Sequence, residues 1–337
     1  MGYVTLQLEQ ARVATNAGQL FEALEAHRAQ SRQVEGSMHW KHIGGRDYLY
    51  RGFSHGKNHS LGPRSSETEA IKAAFDEKKA AHKAREASLK TQLQTHAAYV
   101  RANRLHRFPV TAARVIRALQ HQRIPFRVIG TNALYAYESM AGVLIEPEHL
   151  ATADVDVLMD ARQGVRIATQ VGPEGLLSVL RRSDRTFQRL TDATFGFCAV
   201  NDTGYRVDFI TQGASPPLEM NDFERLLQAD DLTPVTIESL KWLVATPRFD
   251  AIVFDERGMP LRLATVDPRA FVLHKWYVSQ RADREPAKRH RDEAQARLVA
   301  NLLHHELRDL PMPGAVLRAF PHLVRQQAGA GMDEFDV

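Results

Sequence analysis

Three aspartates in apolar segments have the residue type and spacing to hold a divalent cation. Asp154 and Asp156 lie in Asp-Val-Asp-Val, and Asp208 lies between Val207 and Phe209. Strand side chains alternate between two faces, so the first two carboxylates share one face. Because like charges repel, this pair costs stability unless a cation neutralises it. Mg²⁺ or Mn²⁺ prefers carboxylate oxygens, and paired ions assist displacement at phosphorus. A solvated edge strand is the alternative for the pair alone.

A turn upstream of these aspartates could contact a phosphate. Residues 124–129 predict a strand that ends at Gly130, and residues 132–137 predict the helix that follows. Glycine lets the backbone approach a phosphate closely, and a helix N-terminus offers free N–H groups. Thr131 adds a hydroxyl at the same place. Taken alone, the pair is also compatible with an ordinary N-capping turn.

The third aspartate is predicted to lie on a hairpin. Residues 205–210 form an apolar-flanked strand, and the turn at residues 201–204 joins it to a second strand at residues 194–200. The hairpin therefore places Asp208 on a strand with apolar neighbours, where it supplies a third carboxylate.

The order Gly130-Thr131, Asp154, Asp156 and Asp208 resembles the signature of the DNA polymerase beta nucleotidyltransferase superfamily. That signature is an apolar residue with Gly-Gly or Gly-Ser, then Asp-x-Asp or Asp-x-Glu, then a third acid. The resemblance implies an α+β fold, in which a polymerase-beta-like core of mixed sheet and helices is flanked by an N-terminal helical arm and a C-terminal helical domain. Thr131 replaces the usual Ser and keeps the hydroxyl, and the long separation before Asp154 suggests an insertion around residues 145–149.

The resemblance also implies a reaction, in which an NMP moves from an NTP to an acceptor and pyrophosphate is released. Asp154 and Asp156 would hold two Mg²⁺ ions. Asp208 would bind the catalytic ion and take the acceptor proton, while Gly130 and Thr131 would hold the β- and γ-phosphates.

The likeness extends to bacterial nucleotidyltransferase-fold proteins related to abortive-infection and toxin–antitoxin systems. Those proteins carry a C-terminal helical part with a Lys, then a basic stretch and an Asp. Here Lys275 and the basic segment 284–292 match that pattern, which implies nucleotide-binding roles for Lys275, Lys288 and Asp292. From spacing alone, Lys275 is equally compatible with a surface lysine, and Arg284, Lys288 and Asp292 with an ion-paired helical face.

Periodicity and turn residues predict three domains. They are an N-terminal helical region at residues 1–108, the core at 109–217 and a mostly helical C-terminal domain at 218–337 that includes a β-hairpin. The predicted elements are a helix over 4–34, a hairpin within 38–62, a long polar helix from the Ser66/Glu69 capping box to about residue 104, a helix capped by Thr111, an exit from the core at 213–217, a hairpin of 251–254 with 261–264, and helices over 268–308.

Composition indicates a soluble globular protein. The 337 residues are 44% hydrophobic and 25% charged, and no apolar run is long enough to span a bilayer. The N-terminus lacks signal-peptide features, so we expect a cytoplasmic protein without a membrane partner. Cys198 is the single cysteine, which excludes a disulfide framework and a cysteine zinc cluster. Its apolar surroundings predict a buried side chain.

The segment 70–107 is strongly basic, with nine Lys or Arg against three acids. Such a helix can follow a phosphate backbone, and Trp40, Tyr50 or Tyr99 could stack on bases. A solvated helix is the alternative. RNA or tRNA is therefore one expected acceptor, beside a protein or a small molecule. A non-catalytic RNA- or partner-binding protein on the same scaffold is the alternative function. The preferred NTP and the oligomeric state stay open.

Overall fold

The chain folds into two compact units. One contains Met1–Ala11 with Arg104–Val337, and the other contains Arg12–Asn103. The computed structural model describes residues 2–30, 34–53, 58–172, 174–190, 197–212, 231–232, 234–310, 312, 314–332 and 335. The predicted core exit at 213–217 and the start of the predicted strand at 194–196 lie outside these residues.

The helices and strands are numbered here in chain order. The strands are β1 (Tyr3–Thr5), β2 (Ser37–Ile43), β3 (Arg46–Gly52), β4 (Asn58–Pro63), β5 (Arg127–Ile129), β6 (Val143–Ile145), β7 (Asp154–Met159), β8 (Gln188–Arg189), β9 (Cys198–Val200), β10 (Arg206–Gln212), β11 (Val235–Ile237), β12 (Arg248–Phe254) and β13 (Pro260–Val266). The α-helices are α1 (Leu8–Ala29), α2 (Ser66–Ala102), α3 (Val110–His121), α4 (Leu134–Ala141), α5 (Pro147–Leu150), α6 (Gly164–Val171), α7 (Gly175–Ser183), α8 (Leu240–Ala245), α9 (Pro268–Ser279), α10 (Pro286–His305), α11 (Gly314–Ala319) and α12 (His322–Gly331). Short 3₁₀ turns cover Gly130–Ala133 and Ala161–Gln163.

A mixed sheet organises the larger unit. Its described strands follow the order β12-β13-β5-β7-β10-β9-β8, and β11 pairs with the C-terminal half of β10. The pairs β7–β10 and β13–β5 are parallel, whereas β5–β7 and β9–β10 are antiparallel. Helices and sheet together confirm the predicted α+β class.

The predicted hairpin near residues 251–264 is confirmed, and it extends the sheet. Strands β12 and β13 pair from Arg248 with Val266 to Phe254 with Pro260. Thr265 then pairs with Val128 of β5, and its hydroxyl donates to the Val128 carbonyl at 2.6 Å. The hairpin therefore packs its apolar residues into the same core as β5. The domain boundaries at 108/109 and 217/218 stay predictions.

The first two helices, α1 and α2, start differently from the sequence predictions. Residues 3–5 form β1 instead of helix, because this β-branched segment pairs antiparallel with β6. The long polar helix begins at Ser66, but its N-cap is Ser65, whose hydroxyl accepts from the Thr68 N–H. The Ser65 N–H in turn donates to Thr68 Oγ1, so the capping box is shifted by one residue from the predicted pair.

The helix predicted to be capped by Thr111 begins earlier. Its N-cap is Pro109, and the free N–H of Val110 donates to Glu256 Oε2 at 2.9 Å. A carboxylate from another part of the chain therefore satisfies the first turn, and no local hydroxyl cap is needed. Val115, Ile116 and Leu119 are fully buried, as their spacing predicts.

The smaller unit combines helix and sheet. Strands β2, β3 and β4 form an antiparallel sheet in which β3, with the predicted Tyr48–Tyr50 strand, is central. Gly44 and Gly45 both have positive φ and form the tight turn between β2 and β3. Helix α2 packs on this sheet with Phe75, and it keeps most of its other side chains exposed.

In the described part of the chain, every helix is too short or too polar to cross a membrane.

A buried acid ties α4 to β6. Glu138 is 7% exposed, its Oε2 accepts from the Ile145 N–H at 2.8 Å, and its Oε1 lies 3.0 Å from Arg107 Nε. Burial raises the pKa of Glu138 to about 7, although Arg107 and the Ile145 N–H act in the opposite direction. The folded protein therefore keeps a proton on Glu138 at pH values where the unfolded chain has lost it.

We predict that this acid makes the protein less stable as pH rises. The folded pKa is above the unfolded value of about 4.5, so the free energy of unfolding falls between about pH 4.5 and about pH 7, by up to about 3 kcal/mol. Glu138→Gln should remove this fall in the free energy of unfolding, as measured by urea unfolding at several pH values. Glu148→Gln, at a side chain that is 76% exposed, is the control. Identical pH slopes in both variants would contradict the assignment.

Candidate active site

Strands β7 and β10 place two carboxylates side by side. Asp154 and Asp156 are half-buried on one face of β7, while Val155 and Val157 are fully buried on the other. The parallel register pairs Asp156 directly with Asp208 of β10. Because neighbouring strands lie about 4.8 Å apart, these carboxylates are adjacent. The alternation predicted from the sequence is therefore present in the structure.

Two of the three carboxylates, Asp156 and Asp208, have raised pKa values. Burial, followed by the charges of Asp154 and Asp208, raises the pKa of Asp156 to about 7, although Lys275 and Arg291 oppose the shift. Burial is also the main cause that raises the pKa of Asp208. Since Asp156 and Asp208 are desolvated near other carboxylates, a bound cation would stabilise their charged forms.

The donor set fits a hard divalent cation. Asp208 Oδ1 is buried and has no hydrogen-bond partner in the described part of the chain. A buried charged oxygen without a donor is costly. Carboxylate oxygens are the ligands that Mg²⁺ and Mn²⁺ take in proteins. Asp154, Asp156 and Asp208 are therefore the residues that could hold such an ion.

The main chain at Asp154 is fixed from two sides. Its carbonyl accepts from Asn132 Nδ2 at 2.7 Å and from the Tyr205 hydroxyl at 3.1 Å. Burial raises the pKa of Tyr205, so the phenol stays a neutral donor. Thr152 Oγ1 also donates to Asp154 Oδ1. These bonds hold the start of β7 against the turn after β5.

Only glycine fits at position 130. Gly130 has a φ of +67°, and a Cβ there would overlap Oδ2 of Asp156. The backbone of the turn therefore lies directly against a site carboxylate. The helix predicted at residues 132–137 begins later, at Leu134, because residues 130–133 form a 3₁₀ turn.

Thr131 is buried and links the turn to α10. Its Oγ1 accepts from Gln295 Nε2 at 3.1 Å, and Gln295 also donates to the His149 carbonyl at 2.9 Å. Thr131 does not belong to the described lining of the cavity beside the carboxylates. Its predicted phosphate contact stays a prediction.

A cavity of about 370 Å³ opens beside Asp156. This volume lies within the range of about 300–1,000 Å³ that is typical of small-molecule sites. Its polar lining consists of Gly130, Asp156, Ser239, His274, Lys275, Arg281, Asp283, Arg284 and Asp292, and its apolar lining of Ile129, Ile210, Ile237, Leu240, Leu243, Val266, Phe271 and Val278. A polar ligand with an apolar ring system would match both parts.

The basic wall of the cavity is held by a buried ion pair. Lys275 Nζ donates to Asp292 Oδ1 at 2.6 Å, and Arg284 Nε donates to Oδ2 of the same carboxylate at 3.0 Å. Burial would raise the pKa of Asp292, but Lys275 and Arg284 hold it below its usual value. Burial lowers the pKa of Lys275, and Asp292 opposes this effect. One carboxylate thus fixes two cations at the cavity.

Two interpretations made from spacing alone are wrong at this wall. Lys275 is only 8% exposed and ion-paired, so it is not a surface lysine. Arg284 precedes α10, which begins at Pro286, so Arg284 does not share a helical face with Asp292. Its contact with Asp292 arises because the loop folds back on the helix.

Lys288 lies apart from the other predicted site residues. Its side chain is 52% exposed and pairs with Glu285 at 3.0 Å. Lys288 does not line the described cavity, whereas Gly130, Asp156, Lys275 and Asp292 do. Its nucleotide-binding role stays a prediction.

The cavity also contains residues that the sequence analysis missed. Phe271, His274, Lys275 and Val278 recur at i, i+3, i+4 and i+7 on α9, so this spacing could have identified His274. His274 Nε2 lies 3.1 Å from Ser239 Oγ. Burial lowers the pKa of His274 to about 3, and the adjacent Lys275 adds to the effect, so the ring is neutral.

We predict that Gly130→Ala costs more stability than Gly142→Ala. Both glycines have positive φ, but Cβ at Gly142 would meet no described atom within 4 Å. Backbone strain should therefore cost about 1–2 kcal/mol in each variant, and displacement of Asp156 should add about 1–3 kcal/mol in Gly130→Ala alone. Urea unfolding measures the difference. Equal losses would show that Asp156 does not press against the turn.

Comparison with known proteins gives one family. A family model described as a nucleotidyltransferase matches residues 110–321, which is more than half of the 337-residue chain. No curated protein and no solved structure matches the chain. The matched region contains β5, β7, β10, α9 and α10, which are the elements that build the site. The chain belongs to this nucleotidyltransferase family.

Proposed function

We propose that the protein transfers an NMP from an NTP to a hydroxyl or phosphate acceptor, with release of pyrophosphate and dependence on Mg²⁺ or Mn²⁺. The observation that carries this proposal is the register that pairs Asp156 with Asp208, beside a cavity that Asp156 lines together with Lys275 and Arg284. Nucleotidyl transfer needs both parts, because negative charge must be neutralised at the attacked phosphorus and along the triphosphate. A polymerase-beta-like core is the arrangement that we propose for these elements.

Asp154, Asp156 and Asp208 would hold the metal. When bound, Mg²⁺ neutralises charge on phosphate oxygens and orients them for in-line attack. Without an ion the carboxylates repel one another, which is consistent with the raised pKa of Asp156 and Asp208. The three acids thus bind the ion in their charged forms.

The cavity walls would orient the NTP. The backbone of Gly130 would contact the β- and γ-phosphates, because glycine has no side chain of its own to keep them away. Lys275 and Arg284 are fixed by Asp292 and would contact the remaining phosphate charge. The apolar part of the cavity, including Leu240, would cover the nucleobase.

Asp208 would accept the acceptor proton. The strand register pairs Asp208 with Asp156, so Asp208 would lie beside the reacting oxygen as a general base. The acceptor oxygen then forms a bond to the α-phosphorus while the bond from that phosphorus to the pyrophosphate oxygen breaks. The proton passes to Asp208 and the electron pair leaves with pyrophosphate.

The alternatives that remain differ in the acceptor molecule and in whether any transfer takes place. RNA or tRNA, protein and small molecules all offer a suitable oxygen, and the assignment to the abortive-infection and toxin-type subgroup stays a prediction. A non-catalytic binding protein would not need all three acids, and all three are present. The deciding experiment incubates the protein with each labelled NTP plus total RNA and protein from a host extract. Label in neither pool would contradict transfer to a macromolecule.

We predict that Asp154→Asn and Asp156→Asn each reduce NMP transfer at saturating Mg²⁺ by at least roughly 100-fold, because each removes a metal-binding charge. The fold should persist, and relief of repulsion should make the metal-free Asp156→Asn variant at least as stable as the wild type. Labelled-NTP transfer and urea unfolding test both parts. Asp309→Asn, at an exposed position, is the control. Near-wild-type transfer in either site variant would disprove the assignment.

We predict that Mg²⁺ and an NTP together raise the melting temperature, since ligands that bind the native state stabilise it by about 2.7 kcal/mol at 100 times their Kd. Asp208→Ala should lose the metal-dependent part of this shift. Asp309→Ala, the same change at an exposed position outside the site, should keep it. A thermal-shift matrix of metal against nucleotide gives the answer. A wild-type shift in Asp208→Ala would show that Asp208 is no ligand.

A further inference from the structure

The positive charge of the chain is concentrated in the smaller unit. Residues 12–103 contain fifteen Lys or Arg and nine Asp or Glu, a net charge of +6, whereas the whole chain carries +4. The rest of the chain is therefore slightly acidic. A unit with this excess attracts a polyanion.

One face of the three-stranded sheet in this unit is packed. Trp40 of β2 pairs with Leu49 of β3, and Leu49 is fully buried. Arg51, two residues further along the same strand, lies 5.3 Å from the ring of Phe75 on α2. Side chains that alternate with these residues must lie on the opposite face.

The opposite face is aromatic and basic, and we call it the tyrosine face. It consists of His39, Lys41, Tyr48 and Tyr50, because the register pairs His39 with Tyr50 and Lys41 with Tyr48. His39 and Lys41 are exposed, and both tyrosines are partly exposed. The His39 and Tyr50 rings are stacked, with centroids 6.4 Å apart and 23° between their planes. Lys41 Nζ lies 5.6 Å from the centroid of the Tyr50 ring.

The charges of this unit are only partly neutralised. On α2, Lys72 pairs with Asp76 and Lys90 pairs with Glu86. Lys78, Lys83 and Arg85 are exposed, and none of them pairs with a carboxylate among the described residues. Cations that are not compensated within the unit are available to phosphates.

We propose that the tyrosine face binds single-stranded RNA. Flat aromatic rings on a sheet stack on unpaired bases, while nearby cations hold the backbone. Ser60 pairs with Tyr50 across β3 and β4, so it belongs to the same face and offers a hydroxyl to a ribose 2′-OH. An acidic protein would use the charge but would have no need for stacked rings.

This inference rests on the proposed function in one respect, since the bound strand is taken to be the acceptor of the NMP. RNA binding itself needs neither NTP nor metal. Binding and transfer can therefore be measured separately, and the failure of one is distinguishable from the failure of the other.

The test is fluorescence anisotropy with the full-length protein. The probes are a labelled single-stranded oligouridine, the DNA oligothymidine of equal length, a duplex RNA and polyglutamate. Tyr48→Ala and Tyr50→Ala should each weaken oligouridine binding about tenfold, whereas Tyr48→Phe and Tyr50→Phe should bind like the wild type. Tyr99→Ala, at an exposed tyrosine of α2, is the matched control.

Salt dependence tests the electrostatic part. Lys41→Gln should reduce the slope of log affinity against log salt concentration by about 0.7. Joint replacement of Lys78, Lys83 and Arg85 by Gln should reduce this slope by up to about 2. Lys79 is kept because it donates to the Gly36 carbonyl. Both variants change exposed residues, so folding should be preserved.

Each outcome has a defined meaning. Weaker oligouridine binding in the Ala variants, but not in the Phe variants or Tyr99→Ala, supports the proposal. Equal binding of polyglutamate, a preference for duplex RNA or oligothymidine, or an equal loss in Tyr99→Ala overturns it. The Asp156→Asn variant should bind oligouridine normally. If it does, and the wild type nevertheless transfers no NMP, the proposed function fails while the tyrosine face stands.

Discussion

Repulsion among Asp154, Asp156 and Asp208 is the constraint on which the larger unit depends. The strand register forces Asp156 and Asp208 together, and burial makes their charged forms costly. Apolar side chains on the other face, such as Val155 and Phe209, hold both strands in place, so the acids cannot move apart. The sheet thus stores an unfavourable charge arrangement that a cation would relieve.

The distance between the acids and the cations of the cavity is fixed by two links. Gln295 joins α10 to the turn after β5 through Thr131, and Asp292 joins the same helix to Lys275 on α9. A buried ion pair contributes little to stability by itself, because desolvation offsets the attraction. Its value here is geometric, since it holds Lys275 against the cavity in a single orientation. Preorganised charge of this kind is what stabilises a transition state.

Sequence patterns predicted the features that depend only on residues close together in the chain, such as strand alternation and turns. The period of two at Asp154–Val157 predicted which side chains share a face, and the turn at 201–204 predicted the hairpin. Burial of Lys275 could not be predicted, because it depends on Asp292, which lies 17 residues away in sequence. The position of Lys288 likewise follows from the start of α10 at Pro286. A single sequence does not show which distant segments of the chain contact each other.

The same limit applies to the capping box and to β1. Ser65 and Ser66 are chemically equivalent caps, and Thr68 decides between them because its hydroxyl also reaches the Pro63 carbonyl of β4. Tyr3–Thr5 becomes a strand only because β6 offers it an edge.

The two units carry net charges of opposite sign. The larger unit is slightly acidic and contains three clustered carboxylates, yet the proposed reaction brings a triphosphate to them. Lys275, Arg281 and Arg284 line the cavity and provide local attraction, but Asp283 and Asp292 balance much of their charge. A polyanionic acceptor therefore gains little from the larger unit. Residues 12–103, with their net charge of +6, can attract a polyanionic acceptor. We therefore expect acceptor binding and the chemical step to depend on different residues.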